Sequence, residues 1–147
     1  FITAYEVLLN RIINEYDFRQ VTLVGFSGGA SIVLGVAPKV ERLALVKTVA
    51  GYIMRASLNR SKGVPTNYAQ TDPFSNIQNV VSIPQVHFSG SRDRVIPTAF
   101  VREFSNKVNE LGGCSRHIEV ASGHLSDWEQ LWSRLIVERP KCMPTNP

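Results

Sequence analysis

Between Gln20 and Pro38 the chain runs for 19 residues without a charge. That length could cross a bilayer as a helix. Four glycines (Gly25, Gly28, Gly29 and Gly35) and the polar Thr22, Ser27 and Ser31 interrupt it, so no transmembrane segment is expected. The stretch parses instead as a β-branched run, Val21-Thr22-Leu23-Val24, then a turn of small residues, then Ala30 to Ala37, apolar nearly all round until Pro38 stops it. A short apolar strand leading through a sharp turn into a buried helix is a strong constraint. Both elements need to be covered by other layers.

The rest of the chain supplies those layers. Residues 1 to 16 place Phe1, Tyr5, Leu8, Leu9, Ile12, Ile13 and Tyr16 at helical spacing, with Glu6, Asn10, Arg11, Asn14 and Glu15 on the other face. Strands are expected at about Leu43 to Val49 and Gln85 to Phe88, each bounded by Gly or Pro. Thr98 to Leu111 is amphipathic, with Pro97 at its start and Gly112-Gly113 at its end. Cys114 to Ala121 alternates polar and apolar residues, as an edge strand does. The last helix opens with Ser126-Asp127-Trp128-Glu129, which reads as a capping box between Ser126 and Glu129, and carries the stripe Trp128, Leu131, Trp132, Leu135 and Ile136. From Gly51 to Pro84 no period is sustained, and an irregular excursion with one short helix near Asn76 to Val81 is expected.

Strands alternating with helices imply an α/β fold, a mainly parallel sheet of about four strands with flanking helices. One domain over residues 1 to 137 is expected, followed by a Pro-rich tail from 138 to 147. The 147 residues suffice for one well-formed core, and 44% hydrophobic with 19% charged residues excludes disorder, collagen and coiled coil. The net charge of +4 is spread along the chain with no basic run, so neither nucleic acid nor a polybasic membrane segment is expected. Cys114 and Cys142 are too few for a disulfide framework and lack metal-ligand spacing, which leaves the redox compartment open between cytoplasm and an exported location. The chain begins at Phe1 with neither an initiator Met nor a charged-then-apolar leader, and is read as a processed form or part of a longer protein.

Chemistry concentrates at Gly25-Phe26-Ser27-Gly28-Gly29, which fits G-x-S-x-G between a strand and a helix. That context suits a nucleophile elbow, where a serine is held on a strained turn and Gly25 and Gly29 let strand and helix pass closely. A phosphate cradle at a helix N-terminus is the competing reading, but neither a Walker lysine nor G-x-G-x-x-G follows. A serine hydroxyl needs a histidine base oriented by a carboxylate, and on an elbow the chain order is Ser, acid, His. Among the acids between Ser27 and the last histidine, His124, only Asp72 and Asp93 fall in loops, and only Asp93 follows the C-terminal end of a strand, the edge where open α/β sheets form their sites. His87 and His117 lie within strands, whereas His124 follows the final strand in the small loop Ala121-Ser122-Gly123-His124. Ser27, Asp93 and His124 are therefore the candidate catalytic residues.

With these three motifs the sequence resembles the α/β-hydrolase superfamily over about residues 1 to 137, specifically its C-terminal half. The resemblance rests on Gly25-Phe26-Ser27-Gly28-Gly29, on the acid loop Gly90-Ser91-Arg92-Asp93-Arg94-Val95-Ile96-Pro97, and on Gly123-His124. It implies Ser27 as nucleophile, Asp93 as acid, His124 as base and the Gly28 backbone N–H as an oxyanion donor, with no cofactor and no metal. The activity implied is a serine hydrolase cleaving carboxylic esters or thioesters, and the partner a small ester or acyl substrate. The chain departs from the family in lacking the strands that precede the elbow, and with them the loop that supplies the second oxyanion N–H. The strand from Val21 to Val24 is accordingly expected to be paired on its outer side by an N-terminal portion of the same protein. A non-catalytic hydrolase-like fragment, serving as a binding or assembly module, is the alternative. Gly51 to Pro84 stands where members insert a cap, its Arg55, Arg60 and Lys62 facing either an anionic substrate or solvent, and Asn59-Arg60-Ser61 is a glycosylation sequon.

Overall fold

A computed structural model describes residues 2–65 and 72–143. Its elements alternate as the hydrophobic pattern requires: α1 (Ile2–Glu15), β1 (Val21–Phe26), α2 (Gly28–Val36), β2 (Leu43–Val49), α3 (Arg55–Ser61), β3 (Gln85–Gly90), α4 (Thr98–Glu110), β4 (Ser115–Val120) and α5 (Trp128–Leu135). The four strands form one parallel sheet in the order β1-β2-β3-β4. Each strand therefore needs a crossover, and all four C-terminal ends lie along one edge of the sheet.

Two apolar layers sandwich the sheet. On one face Ile13 of α1, Leu34 and Val36 of α2, and Val101, Phe104 and Val108 of α4 join Leu23 and Val46 of the strands. On the other, Trp128 and Leu135 of α5 cover Leu45, Val49, Val86 and Phe88. β3 is buried at every position, as a central parallel strand must be. β1 is different: Leu23 and Gly25 are buried while Thr22, Val24 and Phe26 are exposed. It reads as a buried run in sequence, yet as an edge strand it is covered fully on one face only.

Several local expectations change. Arg55–Ser61 forms a helix within the excursion, where no period announced one, and the short helix expected near Asn76 is a single 3-10 turn over Ile77–Asn79. The cause of the first lies far along the chain, because buried Asp72 accepts the Arg55 N–H at 2.7 Å and so satisfies a donor of the opening turn. The capping box at Ser126 does not form. Asp127 takes the cap position with φ 72° and no side-chain cap bond, and Ser126 turns its hydroxyl to Asp127 Oδ2 at 2.8 Å while accepting from the Gly123 N–H at 3.2 Å. Cys114 and Cys142 pair as a disulfide that ties the described end of the Pro-rich segment to the start of β4. Lys47, 3% exposed inside β2, donates to the carbonyl of Ile136, where the C-terminal end of α5 is partially negative. Burial holds its pKa below the ordinary lysine value.

Candidate active site

Ser27 sits between β1 and α2 with φ 49° and ψ −117°, a backbone conformation that side-chain-bearing residues rarely adopt. Such strain costs on the order of 1–3 kcal/mol and persists only where the surroundings over-determine it. They do so here: the Ser27 N–H donates to Val49 O at 2.9 Å, and its carbonyl accepts from Ala30 at 3.1 Å and from Tyr52 at 3.0 Å. The turn is also tight. A Cβ on Gly25 would stand 2.5 Å from Gly29 O and 2.6 Å from Val33 Cγ2, so only glycine lets the strand pass its helix. The second glycine of the turn behaves otherwise, since a Cβ on Gly29 would meet open space. The close approach is carried by Gly25 alone, with the Gly29 backbone as the surface approached.

Asp93 lies in the loop after β3, its side chain fully buried. Its Oδ1 accepts the N–H groups of Val95 at 2.8 Å and Ile96 at 2.9 Å. That leaves Oδ2 aimed at His124, whose Nδ1 is 2.8 Å away. His124, in the loop after β4, places Nε2 3.0 Å from Ser27 Oγ. Its ring also packs against Phe26 at 5.5 Å between centroids. Three residues from three strand ends are thus brought into one hydrogen-bonded series, Ser27 to His124 to Asp93. A carboxylate only accepts, so the His124 tautomer that completes this series is the one with its proton on Nδ1 and Nε2 accepting from Ser27.

Gly28 is the first residue of α2, so its N–H has no intrahelical acceptor and sits at the partially positive helix end beside Ser27. Asp72, the other loop acid, stays apart from this series. Besides Arg55 it accepts from the N–H and hydroxyl of Ser75 at 3.0 and 2.8 Å, which makes it the hub of its own loop. His87 is wholly buried, bonded to Thr48 and Gln85 at 2.8 and 3.0 Å, and desolvation pushes its pKa down to about 3. His117 meets Ser89 at 2.7 Å, and burial lowers its pKa too. Of the excursion's cations, Arg55 lies over the Tyr52 ring at 5.4 Å and Lys62 donates to Val95 O beside the acid loop at 2.9 Å. The Asn59 of the sequon accepts from the Tyr52 hydroxyl. Among the described residues no group of three or more His, Cys, Asp and Glu could hold a metal ion, and no helix is long and apolar enough to cross a membrane.

Neither a protein-family model nor a curated protein matches the sequence. Solved structures do match the fold. An esterase of Pyrococcus furiosus superposes with a TM-score of 0.67 at 16% identity, over 92% of this chain and 58% of that one. An acylaminoacyl peptidase of Pyrococcus horikoshii gives 0.70 at 12% identity, over 93% and 27%. Thermogutta terrifontis esterase 2, in a structure phosphonylated by cyclosarin, gives 0.65 at 10% identity, over 84% and 53%. The chain thus spans little more than half the length of these esterases and about a quarter of the peptidase. With its four sequential parallel strands and the strained strand-to-helix turn after the first, the chain carries the α/β-hydrolase fold over the portion it shares with them.

Proposed function

We propose that this chain carries the Ser-His-Asp machinery of a serine hydrolase acting on carboxylic esters or thioesters, with Ser27 as nucleophile, His124 as base and Asp93 as its orienting acid. The observation that carries the reading is the continuous hydrogen-bonded series of 3.0 and 2.8 Å from Ser27 Oγ through His124 to Asp93. In the first half-reaction His124 Nε2 takes the hydroxyl proton as Ser27 Oγ bonds to the acyl carbon. The oxyanion so formed is met by the Gly28 N–H. As the bond to the leaving alcohol or thiol breaks, His124 returns the proton to it, and an acyl-enzyme remains. Water then attacks by the same route, giving up its proton to His124, and Ser27 is regenerated with release of the acid. Throughout, Asp93 stabilises the imidazolium and holds the productive tautomer.

The fold neighbours support a hydrolase at this coarse level, two being esterases and one a peptidase. A fluorophosphonate probe, which phosphonylates an activated serine with loss of fluoride, tests the assignment. Mass mapping is expected to find the label on Ser27 and on none of the other 12 serines. Label on another serine, or none in the protein as the cell makes it, would sink the reading and favour a binding module.

A further inference from the structure

His124 and Asp93 belong to different loops, 31 residues apart, so their 2.8 Å bond depends on how the two loops are held together. As far as Ser122 the backbone does this. Ser91 N donates to Val120 O at 2.8 Å and Arg92 N to Ser122 O at 3.0 Å, and a Cβ on Gly90 would stand only 2.3 Å from Ser122 O. Beyond Ser122 the chain leaves the sheet and bonds mostly to itself: Trp128 Nε1 donates to the carbonyls of Gly123 and His124 at 3.0 Å each. A loop braced only internally can still swing as a body.

We propose that Arg92 and Asp127 are positioning residues whose ion pair latches the acid loop across the histidine loop and so sets the His124–Asp93 bond. One guanidinium nitrogen, Arg92 Nη2, reaches Ala121 O at 2.8 Å and Asp127 Oδ2 at 2.9 Å, spanning both ends of the segment that carries His124. Apart from Asp93 itself, Arg92 is the only side chain of residues 91–94 that bonds this segment among the described residues. The other partner is strained, since Asp127 holds φ 72°. Its Oδ2, shared by Arg92 and the Ser126 hydroxyl, ties that turn down. With side chains 63% and 40% exposed, the pair adds little to stability, so its value is geometric.

The inference rests on the proposed triad, and the test separates the two. In the full chain, Arg92→Met and Asp127→Ala are each expected to lower kcat on 4-nitrophenyl acetate by about fivefold, the most that an exposed ion pair can add to holding the two loops in register. KM should stay within about twofold, with the melting temperature unchanged in Arg92→Met and lowered by a few degrees, by roughly the cost of alanine at φ 72°, in Asp127→Ala. The double variant should be no worse than the worse single one, because both break one device. Arg92→Lys should recover part of the loss, as it keeps a cationic donor. Independently of turnover, the hydrogen-bonded Nδ1 proton of His124 should give a downfield resonance in the wild type that broadens or vanishes in Arg92→Met and Asp127→Ala. If the wild type hydrolyses no ester, the proposed function fails while this resonance still decides the latch. A wild type without the resonance, variants that keep it, or kcat losses that track a fall in melting temperature across all variants would overturn the proposal.

Discussion

At the scale of single residues, two loop aspartates separate by what their oxygens accept. Both are buried, and each takes backbone N–H bonds. Asp72 spends both oxygens on Arg55 and Ser75, whereas Asp93 gives one to Val95 and Ile96 and keeps the other for His124. Different consequences follow from the same substitution. Asp93→Asn is expected to preserve the fold and lower kcat by about 10⁴, because an amide can hold the wrong imidazole tautomer. Asp72→Asn should instead cost about 1–3 kcal/mol of stability, by mispairing buried donors, and leave kcat of the folded fraction intact. Esterase kinetics beside urea denaturation of both variants check this, and a larger kcat loss in Asp72→Asn would reverse the assignment of the acid. Chain order and position after a strand single out Asp93 in the sequence. Asp72 as the hub that seats α3 is not legible there, since its partner Arg55 lies 17 residues away.

At the scale of elements, β3 combines two kinds of burial. Val86 and Phe88 face α5, Phe88 meeting Trp132 edge-on at 6.3 Å between ring centroids. His87 faces α4, its ring 5.2 Å from Phe104. A histidine within a central strand is buried and has to find partners, and His87 has Thr48 and Gln85. Its folded pKa of about 3, set first by desolvation and then by repulsion from His117, lies below the unfolded value of 6.5. The unfolded chain therefore binds more protons throughout that window, and the His87 contribution is complete above pH 6.5 and lost as the pH falls toward 3. The loss is at most about 5 kcal/mol. Denaturation midpoints of wild type and His87→Gln between pH 7 and pH 4 should converge on acidification, and a constant gap would refute the linkage.

At the scale of the whole molecule, the two edges of the sheet are finished differently. β4 is flanked by the segment after α5: Arg116 bonds Glu138 at 2.7 Å and Arg139 O at 3.1 Å, and the Cys114–Cys142 disulfide fastens that segment down. β1 leaves Val24 and Phe26 about 40% exposed beside an apolar groove of about 320 Å³ lined also by Val49, Trp128 and Trp132. An uncovered apolar strand edge favours association with another chain. The disulfide closes a loop of 28 residues, a constraint worth about 3.5 kcal/mol through the unfolded state. Cys142→Ser is expected to lower the urea midpoint by roughly that free energy, and thiol titration of the unreduced, unfolded wild type should find no free thiol. Two free thiols, or an unchanged midpoint, would show that the strap does not form. The sequence limits the cysteines only by exclusion, because pairing depends on the Cα atoms coming within 6.1 Å across 28 residues.

What the sequence determined by itself is whatever depends on neighbours along the chain. The strand, the glycine that lets it pass a helix, and the serine between them are contiguous, so the strained strand-to-helix turn is legible from Val21 to Ala37. Hydrophobic pattern locates four of the five helices and all four strands, with ends that differ by a residue or two, as where β1 and β3 extend to Phe26 and Gly90 and α2 begins at Gly28. Tertiary structure decided everything that rests on bonds across the fold. It seated α3 on Asp72, turned Ser126 from a helix cap into a brace for the histidine loop, and buried Lys47 against the end of α5. It also set Arg92 on Asp127, 35 residues away. A local pattern can nominate a polar side chain for a role, but a buried or latched polar group is fixed by its partner, and only the folded chain brings that partner within 3 Å.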